Sequence, residues 1–168
     1  EQLLIRKFLV VTFNSLDRRW GRNLTVHCVL FLFAAESDIQ GNIPSEIALL
    51  TSLANLNLDK NFIFGPIPME IFKMSNLAHF LVEDCALTGT IPTEVGQMTS
   101  LESIIWSDNT LSGSIPTEVG LLTKLARFLV RVNKFDGSVP TEIGRLTDLK
   151  ELNLQGNILT GTIPAEIG

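Results

Sequence analysis

The chain is 168 residues long, enough for one domain with its own core and too short for two ordinary ones. Lys and Arg number 13 against 18 Asp and Glu, a formal net charge of −5. That balance argues against nucleic acid as the main partner, since phosphate binding needs a basic face. An apolar share of 45% excludes a disordered tail, and two Cys are too few for a disulfide-dense scaffold.

In chain order, residues 1–13 carry Leu3, Leu4, Phe8, Leu9, Val11 and Phe13, a pattern compatible with a helix. The triplet Asn23-Leu24-Thr25 is a glycan acceptor if the chain is secreted. The longest apolar run, Leu24 to Ala35, follows Arg18, Arg19 and Arg22. It falls short of the roughly 20 apolar residues a membrane span needs, so none is expected within this chain. A signal peptide is disfavoured because the run starts late, and Leu32 and Phe33 suit no small-residue cleavage site. The chain starts at Glu1, without Met, and stops at Gly168 inside a motif, so a fragment of a longer protein is expected.

From Val29 onward a repeat takes over. Pro44, Pro68, Pro92, Pro116, Pro140 and Pro164 stand 24 residues apart, each with Gly three residues before and Glu two after. The opening Leu column is Leu53, Leu77, Leu101, Leu125 and Leu149. Two further apolar columns follow, Leu56 to Leu152 and Leu58 to Leu154, and then a polar one: Asn61, Cys85, Asn109, Asn133 and Asn157. The first unit (Val29, Leu32, Ala34, Ser37, Ile39, Gly41) keeps the register in degenerate form. Alternation in the xLxLx stretch predicts a short strand with Leu inward and x outward. One unit cannot bury its apolar side alone, so units stack on a shared core. The Asn column is expected to turn its amide to turn backbone that the strand no longer pairs.

The full pattern, LxxLxLxxNxLxGxIPxEIGxLTx, resembles the leucine-rich-repeat family, in its plant-type 24-residue class marked by GxIP. The resemblance implies an α/β-type repeat solenoid: a curved, right-handed coil with a parallel concave β-sheet and an N-terminal helical cap. It divides the chain into a degenerate cap-like segment, 1–28, and a solenoid of about six repeats, 29–168, whose last coil is cut short. Trp20-Gly21 and Val26-His27-Cys28 look like a worn version of the family's cap. Only one Cys stands there, so a cap disulfide is not supported. Cys85 is expected as a small buried thiol; a bond to Cys28 is disfavoured because the two lie about two coils apart, beyond the reach of a disulfide.

The strand-face positions form four rows along the stack. They begin at Phe31, Phe33, Ala35 and Glu36. The second row, Phe33, Asn57, Leu81, Ile105, Leu129 and Asn153, places three aliphatic side chains side by side toward solvent. Acids (Asp59, Glu83, Asp84, Asp108) rim it on one side and Arg127 and Arg131 on the other. An exposed apolar patch with a polar rim marks a partner surface. The expected binding set is therefore Phe33, Asn57, Asp59, Leu81, Glu83, Ile105, Asp108, Arg127, Leu129 and Arg131, with the Asn/Cys85 column structural.

Chemistry is hard to place. His79 and Ser103 are lateral neighbours, but a triad also needs an acid to orient the imidazole and an oxyanion hole. Glu83 lies about 13 Å along the strand from His79, too far to serve. His27, His79, Cys28 and Cys85 have no metal-ligand spacing, and no GxGxxG or GxxxxGK[ST] loop occurs, so no metal or cofactor is expected. The resemblance implies a protein or peptide partner, most often for the ectodomain of a cell-surface receptor. A secreted inhibitor of an extracellular enzyme and a structural or ice-binding solenoid are the alternatives. The acidity itself is mostly the repeated Glu column from Glu46 to Glu166, while residues 1–28 are basic.

Overall fold

A computed structural model of the chain describes residues 31–167; the cap-like segment, the sequon at Asn23 and Cys28 lie outside that range. The repeat produces six short strands: β1 (Phe31–Phe33), β3 (Asn55–Asn57), β5 (His79–Leu81), β7 (Ser103–Ile105), β9 (Arg127–Leu129) and β11 (Glu151–Asn153). They form one parallel sheet in chain order, in a register that steps 24 residues from strand to strand. The sequence period is thus the pairing register.

Each strand turns out of the sheet at the fourth row. Glu36, Lys60, Asp84, Asp108 and Val132 all adopt positive φ of 50–54°, and Gly156 takes 71°. That row belongs to a left-handed turn and does not extend the strand face, a correction to the four-row reading. The turn is held by the Asn column. The Asn109 amide donates to the carbonyls of Val82 (2.7 Å), Trp106 (3.2 Å) and Ser107 (3.0 Å), and its oxygen accepts from Leu87 N–H (2.9 Å). Asn61, Asn133 and Asn157 repeat the arrangement, each tying its turn to a carbonyl of the preceding coil 27 residues back. Polar groups that would cost free energy if buried unpaired are satisfied this way.

Cys85 fills the same place with less capacity. Its Sγ donates to Leu58 carbonyl at 3.7 Å, and the N–H groups of Asn61 and Ile63 face the sulfur. It is half-buried against the core, not fully buried as expected, and it is a free thiol. Burial pushes its pKa up, those two N–H groups pulling the other way.

Beyond the turn a second strand system appears, which the sequence reading did not anticipate. The strands β2 (Gln40–Gly41), β4 (Phe62–Pro66) and β6 (Ala86–Thr88) form one ladder, and β8 (Ser112–Ser114) pairs with β10 (Lys134–Asp136). Thr110 and Ser112 N–H donate to the Leu87 and Gly89 carbonyls, so the two ladders run on into one another. Here the register steps by 22 residues, from Phe64 to Ala86 and from Ser112 to Lys134. The GxIP Pro then ends the extended segment and starts a 3₁₀ turn, as in Thr93–Gln97 and Thr117–Leu121, which buries Val95 or Val119. These turns stack so closely that a Cβ on Gly120 would lie 2.5 Å from Glu142 carbonyl oxygen.

The core runs the length of the stack. Leu56, Phe80, Ile104 and Phe128 are fully buried under the sheet, as are Leu58, Val82, Trp106 and Val130. Trp106 sits in a column flanked by two smaller Val, and its ring meets Phe80 edge-on with centroids 5.3 Å apart. Large beside small keeps the layer close-packed.

Candidate functional site

Strand register brings the second row together as expected. Asn57 lies beside Leu81, Leu81 beside Ile105, and Ile105 beside Leu129. At about 4.8 Å per strand the three aliphatic side chains cover roughly 10 Å of sheet. They are half-buried, less open than the sequence implied, because the flanking rows stand beside them.

At the amino-terminal end, Phe33 and Phe31 are both more than half exposed, with rings nearly parallel (6°) and centroids 6.0 Å apart. The stacked pair is a second apolar spot on the same face, separated from Leu81 by Asn57, and the sequence signal for it was the i, i+2 spacing of two Phe on one strand.

The polar rim is tied together by its own hydrogen bonds. Asn57 Oδ1 accepts from Asp59 N–H at 3.0 Å, and Asp59 Oδ1 accepts from Glu83 N–H at 2.7 Å. Half-burial raises the Asp59 pKa against those hydrogen bonds, and burial with the nearby Asp59 and Asp108 charges raises that of Glu83. Two carboxyls with raised pKa values on neighbouring strands form an acid-sensitive corner of the face. Along the outer edge, Lys60 pairs with Glu36 in the open, which lowers the Glu36 pKa and raises that of Lys60.

Acidic and basic rims do not stay apart as the sequence suggested. Arg131 Nη2 reaches Asp108 Oδ2 at 2.7 Å, joining the two blocks across adjacent coils. Arg127 turns sideways, its Nε donating to Ser103 Oγ at 3.1 Å. Ser103 and Ser107, both placed in exposed rows by the pattern, are buried (2% and 1% exposed). The hydroxyl beside His79 is therefore a buried acceptor of Arg127, not a nucleophile paired to a base. His79 Nε2 lies 3.9 Å from Glu102 Oε2, a longer-range contact from the preceding row. No group of three or more His, Cys, Asp or Glu side chains among the described residues could hold a metal ion.

A stack of short parallel strands, closed by an Asn ladder and presenting one continuous sheet face, defines a leucine-rich-repeat solenoid. A family profile described as Leucine Rich Repeat matches residues 148–168. A chain in the BIR3–SERK2 complex from Arabidopsis thaliana is 30% identical, over 88% of this chain and 75% of its own length, with a TM-score of 0.72. This chain belongs to the leucine-rich-repeat family. The ectodomain of the Arabidopsis thaliana membrane receptor kinase GASSHO1/SCHENGEN3, solved with CASPARIAN STRIP INTEGRITY FACTOR 2, is 37% identical over 79% of this chain, with a TM-score of 0.77. A plant ice-binding protein is 27% identical over 82% of this chain and 44% of its own, with a TM-score of 0.74. No curated protein matches by sequence. The chain spans 16% of the GASSHO1/SCHENGEN3 ectodomain, and 21% and 20% of the next two receptors matched. No helix among the described residues is long and apolar enough to cross a membrane.

Proposed function

We propose that this chain is a recognition segment of a plant-type, 24-residue GxIP receptor-like ectodomain at the cell surface, and that it binds a peptide or protein across the concave sheet. The observation that carries the reading is the in-register row Leu81, Ile105 and Leu129, half-exposed on the sheet. Around it stand Phe33, Asn57, Asp59, Glu83, Asp108, Arg127 and Arg131. A peptide with an apolar centre flanked by charge fits this layout, because buried apolar contact supplies affinity and the rim supplies register. The GASSHO1/SCHENGEN3 ectodomain supports the reading through the factor it was solved with. The test is selection of displayed random peptides on the whole chain, followed by binding to Ile105→Arg. Enriched peptides are expected to lose binding to that variant; unchanged affinity contradicts the reading.

A second reading has an observation of its own. On the second strand system Thr88 and Thr90, Ser112 and Ser114, and Thr160 and Thr162 recur coil after coil, in a chain that resembles an ice-binding protein. Asp136 interrupts the row. Inhibition of ice recrystallisation by the purified chain favours this reading, and its lack excludes it.

A further inference from the structure

Two guanidiniums stand on the concave face, and their surroundings differ. Arg131 is neutralised by Asp108 at 2.7 Å. Arg127 makes no ion pair among the described residues, although Glu151 lies beside it on β11 and Glu102 stands one residue before β7. What holds Arg127 is Ser103 on the neighbouring strand. Its Nε donates to Ser103 Oγ at 3.1 Å, and Ser103 is only 2% exposed beneath it. That bond leaves the two Nη groups, and neither has a hydrogen-bond partner among the described residues. A planar cation held by one edge, with both terminal donors open to solvent, matches the two oxygens of a carboxylate.

Position gives this cation its neighbours. Ser103 and Ile105 lie two residues apart on β7, so the row that Arg127 covers runs about 7 Å to one side of the apolar row. Charge then restricts where an anion can go. The coils toward the amino terminus present Asp59, Glu83 and Asp84, and Lys60 there is already paired with Glu36. Around Arg127 the acids Glu102, Asp148 and Glu151 are matched by Lys124, Lys150 and Arg127 itself; four of these flank a cleft floored by Ala126. A carboxylate is repelled from the first group and meets an oriented cation in the second.

We propose that Arg127, aimed by Ser103, seats an acidic side chain of the bound peptide beside the apolar anchor at Ile105. This seat rests on the concave-face reading above and deepens it, since it names the partner's chemistry: an Asp or Glu flanking an apolar residue. Ser103 is a positioning residue. Holding the long arginine in place beforehand removes part of the ordering cost from binding. The corner at Asp59 and Glu83 supplies the repulsive element against a ligand placed the other way round.

Displayed random peptides selected on the whole chain supply the probe. One enriched peptide is made in two forms, as selected and with its Asp or Glu changed to the amide. Calorimetry compares both forms on the parent chain, Arg127→Gln, Ser103→Ala and Ile105→Arg. On the parent, the amide form is expected to bind at least about tenfold more weakly, as loss of a charged hydrogen-bonded contact does. On Arg127→Gln the two forms should bind alike. Ser103→Ala should weaken the acidic form about threefold and leave the amide form unchanged, which a general loosening of the sheet would not do. Arg127→Gln alters an exposed side chain and carries the test if Ser103→Ala unfolds. Three results overturn the proposal even where Ile105→Arg abolishes binding: enriched peptides without an acid, two forms that bind the parent equally, or an acid preference that survives Arg127→Gln. Undiminished binding to Ile105→Arg removes the concave-face reading, and the carboxylate seat with it.

Discussion

Arg131 and Asp108 sit 23 residues apart in sequence and 2.7 Å apart in space, their charges joined across two adjacent coils of the concave face. The pair lies at the edge of the proposed site, and both side chains remain open to water, 45% and 30% exposed. Exposed ion pairs contribute about 0–1 kcal/mol, so its worth to folding is small. A double-mutant cycle with Asp108→Ala and Arg131→Ala, followed by urea unfolding, should give a coupling under about 1 kcal/mol. A much larger value would make the pair a structural clamp.

The Asn ladder predicts a gain from repairing its broken rung. Asn109 makes four close hydrogen bonds, where the Cys85 sulfur makes one long donor contact and faces two backbone N–H groups. Cys85→Asn should therefore stabilise the chain by about 1 kcal/mol, and Asn109→Ala should cost about 1–3 kcal/mol by orphaning buried backbone groups. Urea midpoints of the two variants check both signs.

Val132 is a β-branched residue at φ 50°, in a left-handed turn whose other members are unbranched or Gly. Such a residue is a true outlier, and strain of this kind costs about 1–3 kcal/mol. Val132→Gly should raise the melting temperature by about 2–4 °C for each kcal/mol released. A fall would mean that the Val132 side chain packs for more than its backbone loses.

Stacking of the 3₁₀ turns demands Gly at position 120 for reasons of space. A Cβ there meets Glu142 oxygen at 2.5 Å, so Gly120→Ala must push two coils apart. Overpacking of this kind costs about 1–3 kcal/mol, readable as a lower urea midpoint.

The sequence made the solenoid legible because period and register are one quantity: a 24-residue repeat stacks strand on strand with a step of 24. The Asn column was readable for the same reason, its chemistry being repeated. What stayed hidden depends on neighbours in three dimensions. Alternation exposes Ser103, but the long Arg127 side chain from the next strand covers it. Counting along the strand cannot tell where the backbone enters the left-handed turn, so the fourth row looked like sheet. The second strand system pairs Ser112 with Lys134 through backbone groups, which leave no apolar alternation of their own in SGS. Phe62 and Phe64 were lost among apolar letters, and only the structure separates their exposed rings from buried Ile63.

Acid should stabilise the concave face. Burial raises the folded-state pKa of Asp59 and Glu83 above their unfolded values, so the folded chain holds those protons more tightly. Their contribution to stability is then greatest below the unfolded carboxylate range and falls as pH rises through the raised values. Asp59→Asn keeps the acceptor for Glu83 N–H and should flatten that part of the pH–stability curve. An unchanged curve would place the shift elsewhere.

The most direct measurement of the central claim is the affinity of one selected peptide for the parent chain and for Ile105→Arg, by calorimetry at a fixed salt concentration. Ile105 is half-exposed in the middle of the row, between Leu81 and Leu129, and its backbone pairing does not depend on its side chain. The account predicts that binding is lost, by at least about a hundredfold for a central anchor, with no change in unfolding midpoint. Equal affinity in a folded Ile105→Arg variant would show that the concave row is not where the partner binds.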